Sequence, residues 1–206
     1  MSHGNTKHWD KVYAEKSGEA VSWYQREPAL SLALIRSVAP QSDARIIDIG
    51  GGASTLVDHL RAGGYQDVSV LDIAASALAK ARGRLGRDAG TVNWYVSDAT
   101  KWTPPHRFDV WHDRAVFHFL TAVADRRAYK TVLLRALEPG GHAVITTFAM
   151  DGPEKCSGLP VVRYDAARLR DELGSALSMV DQRDEQHVTP GGMTQAFSFF
   201  LLRREP

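Results

Sequence analysis

The stretch Ile46-Ile47-Asp48-Ile49-Gly50-Gly51-Gly52-Ala53-Ser54, followed by Val68-Ser69-Val70-Leu71-Asp72-Ile73, decides the fold. Apolar residues running into Asp48 read as a buried parallel strand, and three glycines then let the backbone turn sharply and lie close against a ligand before a helix begins. A second apolar strand ends in Asp72, 20 residues after Gly52. That spacing suits a βαβ unit whose second strand carries an acid at its tip, placed to accept hydrogen bonds from two ribose hydroxyls. The pair of segments reads as a nucleoside-binding pocket.

The glycine pattern departs from the dinucleotide fingerprint. Gly50 and Gly52 are followed by Thr55 where a third glycine belongs, and Asp48 sits inside the first strand. A carboxylate beside the glycine turn suits a positively charged ligand, such as an amino-acid ammonium, and suits a pyrophosphate poorly. These residues resemble the first motif of the class I S-adenosylmethionine-dependent methyltransferases, an acid followed by glycines at alternate positions. Tyr95-Val96-Ser97-Asp98-Ala99, Phe108-Asp109-Val110-Trp111-His112-Asp113-Arg114 and Leu137-Glu138-Pro139-Gly140-Gly141-His142 resemble the family's later motifs, in the family's order. The resemblance implies S-adenosylmethionine as cofactor and a Rossmann-like α/β fold. Its seven-stranded, mostly parallel sheet would have the order 3-2-1-4-5-7-6, only the seventh strand antiparallel, with helices on both faces.

Composition sets the frame for such a fold. A chain of 206 residues with 44% hydrophobic content is expected to form one domain, with residues 1–40 as an N-terminal helical lid and 41–206 as the catalytic α/β core. Lys and Arg number 25 against 24 acids, so no overall field draws the chain to nucleic acid or to an anionic membrane. Cys156 is the only cysteine, which excludes an intrachain disulfide. The polar start from Met1 to Asp10 lacks the apolar core of a secretory signal, and a cytoplasmic location is expected. The sequence leaves the oligomeric state open.

Along the chain, Trp9, Val12 and Tyr13 fall at helical spacing, and Pro28 opens a second helical stretch from Ala29 to Val38, closed by Pro40. From Arg45 the elements alternate: strand 45–49, helix 54–62, strand 68–72, helix 75–85, strand 92–97 and a strand from Phe108 to Trp111. A helix from about Asp125, carrying Tyr129, Val132, Leu133, Ala136 and Leu137 on one face, precedes strand 142–148. After an irregular loop over 151–162, Asp165 is placed to cap a short helix ending at Gly174. Two strands then flank the turn Thr189-Pro190-Gly191-Gly192 as a closing hairpin.

Ligands of open α/β sheets sit beyond the carboxyl ends of the strands, where Asp48, Asp72, Asp98 and Asp113 are expected. Asp98 has a second reading as the cap of its own loop, and Asp113 as a partner of Arg114 or Arg107. By resemblance, Asp48 and the backbone of Gly50, Gly51 and Gly52 hold the methionine part and Asp72 the ribose. Asp98 with the Ala99 amide holds the adenine, Ile73 offers an adenine face, and Asp113 belongs to both the cofactor and the acceptor side. His118 is the first choice for a general base, while His112 alternates onto the opposite face. The spacing of His112, Asp113 and His118 matches no standard metal motif. Trp9, Tyr13, Trp23 and Tyr24 can form an aromatic lid over a sulfonium, or simply pack their helix onto the domain. Cys156 reads either as a reactive thiol in an acceptor loop or as an inert buried one.

The segments His8-Trp9-Asp10-Lys11-Val12-Tyr13 and Val21-Ser22-Trp23-Tyr24-Gln25 resemble the opening of a subgroup related to the lysine methyltransferases of translation elongation factor and of citrate synthase. Asp113-Arg114-Ala115 stands where that subgroup has Asp-Lys-Gly. The leading expectation is therefore methyl transfer to a small molecule, with a protein lysine as the second acceptor class. The rival readings are a nicotinamide-dependent oxidoreductase and a non-catalytic nucleoside-binding module.

Overall fold

The computed structural model describes residues 3–15 and 17–206. Helix α1 (His3–Glu15) and helix α2 (Ala29–Val38) precede strand β1 (Arg45–Ile49), after which helix and strand alternate. The series continues with α3 (Leu56–Ala62), β2 (Asp67–Asp72), α4 (Ala75–Leu85), β3 (Val92–Val96), β4 (Phe108–Arg114), α5 (Val123–Ala136) and β5 (Leu137–Phe148). A two-residue hairpin, β6 (Lys155–Cys156) and β7 (Leu159–Pro160), interrupts the loop expected to be irregular. Then come α6 (Ala166–Leu173), β8 (Leu177–Val188) and β9 (Thr194–Arg204).

The seven long strands form one sheet in the order β3-β2-β1-β4-β5-β9-β8. Strands β1 to β5 pair in parallel, and β9 runs antiparallel to both of its neighbours. Counted along the sheet alone, this is the expected order 3-2-1-4-5-7-6. The helix expected from Asp165 also forms, with the Asp165 carboxylate accepting the Arg168 amide at 2.8 Å. Such a cap contributes about 1 kcal/mol.

Because successive strand residues face opposite ways, the sheet sorts its side chains into two layers. Ile46, Val68, Val70 and Val110 meet α2, α3 and α4 through Leu32, Ile35, Leu56, Leu60 and Leu78. Ile47, Trp111, Ala143, Ile145 and Phe200 meet α5 and α6 through Tyr129, Leu133, Leu169 and Leu173. Each of these large side chains contributes about 1.5–3 kcal/mol when fully buried. The same alternation fixes the polar residues at the strand ends. Asp48 and His112 share the face of Ile46 and Val110, whereas Asp113 lies on the face of Trp111.

Two contacts hold the ends of β1 and β4 in place. Tyr129 donates its hydroxyl to Asp113 Oδ2 at 2.5 Å and accepts the Trp111 indole N–H at 2.9 Å. The turn after β1 is pinned by the Gly50 amide donating to the Leu71 carbonyl at 2.7 Å. Gly50 has φ +65°, and a Cβ there would overlap Val116 Cγ2. Bare backbone is required at that point because a residue from the next strand's end already occupies the space.

Gly50→Ala is expected to lower the urea midpoint, combining about 1–2 kcal/mol of left-handed strain with the steric overlap. Val116→Ala in the same chain should recover the overlap part and leave the strain, which a double-mutant comparison of unfolding midpoints measures. Tyr129→Phe should cost about 1–3 kcal/mol by stranding the Trp111 indole and a buried carboxylate, read from the same denaturation curves.

Candidate functional site

A cavity opens beyond the carboxyl ends of β1, β2 and β4, with about 890 Å³ of empty space when its solvent-open mouth is included. Its floor is the turn after β1, with Asp48, Ile49, Gly50 and Gly51, and its side is the tip of β2, with Leu71, Asp72 and Ile73. Ser97 and Ala99, following β3, close the far wall. A Cβ on Gly51 would collide with Asp48 Oδ2, and one on Gly52 would lie 2.7 Å from Asp72 Oδ2. Two carboxylates thus press against the same bare turn.

Asp48 is 2% exposed, and its Oδ1 lies 2.7 Å from Nδ1 of His112, itself 1% exposed. Nε2 of His112 lies 2.9 Å from Ser31 Oγ on α2. With Nδ1–H donating to the carboxylate and the serine hydroxyl donating to Nε2, every polar atom of the ring is used, and Asp48 is fixed in orientation. His112 therefore serves Asp48 from the side and does not line the cavity. Asp72 is 6% exposed and accepts the Ala74 amide on Oδ1 at 2.8 Å. Burial, with the nearby charges of Asp48 and Asp10 adding to it, pushes its carboxyl up to about 7.

The roof comes from the N-terminal segment. Trp9 and Tyr13 of α1 and Trp23 of the following loop line the cavity with Phe119. The Trp9 ring stands edge-on to Trp23 at 5.7 Å and to Phe119 at 5.1 Å, and Tyr13 stands edge-on to Trp23 at 6.3 Å. Ser76 at the start of α4 donates its hydroxyl to Asp10 at 2.8 Å, fastening α1. The strap over residues 22–26 is held at several points. His187 Nε2 meets the Ser22 carbonyl at 2.7 Å, Thr55 donates its hydroxyl to the Gln25 carbonyl at 2.9 Å, and Gln25 donates to Glu185 at 2.9 Å. Arg114, which also lines the cavity, donates to the Trp23 carbonyl and to Gln25 Oε1.

Of the residues singled out in the sequence, the structure brings Trp9, Tyr13, Asp48, Gly50, Gly51, Asp72, Ile73 and Ala99 to the cavity. Gly52 stands in the same turn beside Asp72. Three others are placed elsewhere. Asp98 follows its capping alternative: its Oδ1 accepts the amide and hydroxyl of Thr100 at 2.9 and 2.7 Å, and Ser97 and Ala99 line the wall on either side of it.

Asp113 is fully buried beneath the turn into the next helix, accepting the amides of Val116 at 2.7 Å and Phe117 at 3.1 Å as well as the Tyr129 hydroxyl. Burial raises its carboxyl to about 6, against the lowering effect of those donors. It pairs with neither Arg114 nor Arg107. The physical reason is strand parity, which turns Asp113 toward α5 and away from the glycine turn. His118, expected as the base, is likewise fully buried, flanked by Phe119 at 4.5 Å and Phe148 at 5.0 Å. Burial drops its pKa to about 3, so the ring is neutral, and it lies outside the cavity lining.

Cys156 does reach the cavity, but burial pushes its thiol up to about 12 and makes it a poor nucleophile. His187 acts as a strap anchor. The sequence reading passed over Arg114 as a cavity residue, along with Val116, Phe119, Phe197 and Ser97. For Arg114 the available signal was its position, one residue past Asp113 and hence back on the face of Asp48.

Comparison with known proteins follows this geometry. Residues 46–141 match the family model described as a methyltransferase domain. Nodulation protein S of Rhizobium tropici is 31% identical over 111 residues, covering 54% of this chain and 46% of that protein. The chain thus spans about half the length of the curated relative it matches. Among solved structures, the N-methyltransferase NodS from Bradyrhizobium japonicum WM9 in complex with S-adenosyl-l-homocysteine superposes with a TM-score of 0.75 at 18% identity, covering 98% of this chain and 100% of that one. A structure described for the conversion of a disulfide bond into a thioacetal group during echinomycin biosynthesis gives a TM-score of 0.77 at 23% identity, covering 97% and 91%. Those two likenesses show a shared fold, and residues 46–141 are similar to the methyltransferase domain family.

Proposed function

We propose that the chain transfers a methyl group from S-adenosylmethionine to a small-molecule acceptor. The observation that carries this reading is one cavity holding a bare glycine turn with a buried carboxylate at each end, Asp48 and Asp72. The residues fit the cofactor by charge and shape. Asp48, oriented by His112, would take the methionine ammonium, and the glycine turn leaves room for the chain beside it. Asp72 has Oδ1 bonded to its own turn and Oδ2 directed at the Gly52 side, where it would accept from the ribose hydroxyls. Ile73 and Ala99 offer apolar and backbone surface for the adenine, and Ser97 a hydroxyl beside them.

Bound there, S-adenosylmethionine supplies an electrophilic methyl group on a positively charged sulfur. The chain's own task is to align, enclose and dry the reacting atoms. Trp9, Trp23 and Phe119 are suited to cover a cation and exclude water, and the strap contacts hold that cover in place. His118 and Asp113 take no direct part in this reading. A small-molecule acceptor is supported by the aromatic cover over the cavity, formed by Trp9, Trp23 and Phe119. It is also supported by relatives of the same fold, one an N-methyltransferase and one described for a step in echinomycin biosynthesis.

Calorimetric titration with S-adenosylmethionine tests the reading, and no binding would overturn it. Asp72→Ala should weaken binding by about 1.5–3 kcal/mol, the loss expected for hydrogen bonds to a charged acceptor. A pH effect follows from the carboxyl at about 7. Protonated Asp72 dominates below that value and loses acceptor capacity, so affinity should rise as pH climbs from 6 to 8. Asp72→Asn should flatten that profile. The stability effect has the opposite sign: the folded state holds this proton more tightly than the unfolded chain, so the group's contribution is lost as pH rises from about 4 through 7.

A further inference from the structure

Alongside the parts assigned to the cofactor, and sharing Trp23 and Phe119 with its cover, the same cavity has an apolar side, a chamber continuous with the rest. Its walls are Trp23, Phe119, Val116, Ala115, Cys156 and Phe197. Cys156 and Phe197 belong to a buried apolar cluster with Phe148, and Trp23, Ala115 and Phe119 pack against it. Ala115 adopts φ +71°, a conformation costly for any side chain, so its methyl sits in this chamber at the expense of backbone strain.

The titratable groups that line the whole cavity, among the described residues, are Tyr13, Asp48, Asp72, Arg114 and Cys156. Tyr13 is pushed upward by burial, Cys156 is a neutral thiol, and Asp48 and Asp72 face the glycine turn. Arg114 is the single cation among them. An ammonium placed in the chamber would meet no carboxylate there, and a hydroxyl would meet no base. A thiolate meets apolar walls and a neighbouring cation, and Cys156 already packs among these side chains as a small apolar group.

We propose, on the basis of the methyl-transfer reading above, that this chamber binds a small apolar thiol in its thiolate form as the methyl acceptor. The thiol proton goes to water before binding. The thiolate sulfur then forms a bond to the methyl carbon while the methyl–sulfonium bond breaks, its electron pair returning to the donor sulfur. A neutral thioether leaves, and no proton remains in the apolar chamber. An amine acceptor would instead leave a buried cation or need a base to discharge it.

The test uses the full chain with 1-propanethiol, thiophenol, propylamine and 1-propanol. Without cofactor, propanethiol should quench the emission of Trp9 and Trp23 saturably, and Phe197→Ala should weaken that binding at least fivefold while calorimetric affinity for S-adenosylmethionine stays within twofold. Should Phe197→Ala fail to fold, Phe197→Leu takes its place with a smaller loss in the same direction. With cofactor, kcat/KM should rise about tenfold per pH unit up to each thiol's own pKa, so that thiophenol levels off at lower pH than propanethiol. Faster use of propylamine or propanol would overturn the proposal, as would one common break for both thiols. Intact cofactor binding without any thiol binding also overturns it while leaving methyl transfer standing; loss of cofactor binding removes both.

Discussion

Beneath the glycine turn, a carboxylate and an imidazole that are almost sealed from water meet at 2.7 Å, and the serine of an N-terminal helix completes the line. Breaking such a buried pair by removing one member leaves the other stranded, at a cost of several kcal/mol. Asp48 therefore has one available orientation, with its second oxygen against Gly51. The turn, in its chosen left-handed form, fits between that oxygen, Val116 and Asp72. The position of the cavity is in this sense a consequence of which way β1 and β4 turn their last residues.

The second constraint is the fastening of the N-terminal segment. Its aromatic rings reach the cavity only because the strap is tied to the glycine-turn side by Thr55, to β4 by Arg114 and to the closing hairpin by His187 and Glu185. These attachments come from elements far apart in the chain. The hairpin, which lies at the far edge of the sheet from β1–β3, thereby contributes to the roof of the cavity. A single surface ion pair would add little, but hydrogen bonds to the carbonyls of a partly buried strap also satisfy backbone groups that would otherwise be costly to cover.

Much of this was legible in the chain. The alternation of apolar runs with Gly and Pro punctuation marked the strands and helices, and the glycine turn with its two following acids located the pocket, because both depend on local spacing. What spacing did not reveal was the direction of polar side chains past the strand ends. Asp113 looks equivalent to Asp48 and Asp72 as a strand-tip acid, yet both of its oxygens are taken up by the Val116 and Phe117 amides and the Tyr129 hydroxyl. The burial of His118 depends on β5 and its neighbouring loop, which supply Phe148 and the Val162 amide that meets the His118 carbonyl. Parity along β4 was available in the sequence, and it would have exchanged Asp113 for Arg114 as the residue facing the cavity. The small β6–β7 hairpin carries no periodic signal, being two residues on each side.

The sole cysteine gives the cavity an internal reporter. Cys156 is 6% exposed, lines the cavity and holds its proton tightly, so an alkylating reagent that enters meets a neutral, slowly reacting thiol. A molecule seated in the chamber shields that sulfur. The labelling rate, set against that of an unstructured thiol, therefore reads occupancy, and no second cysteine clouds the signal.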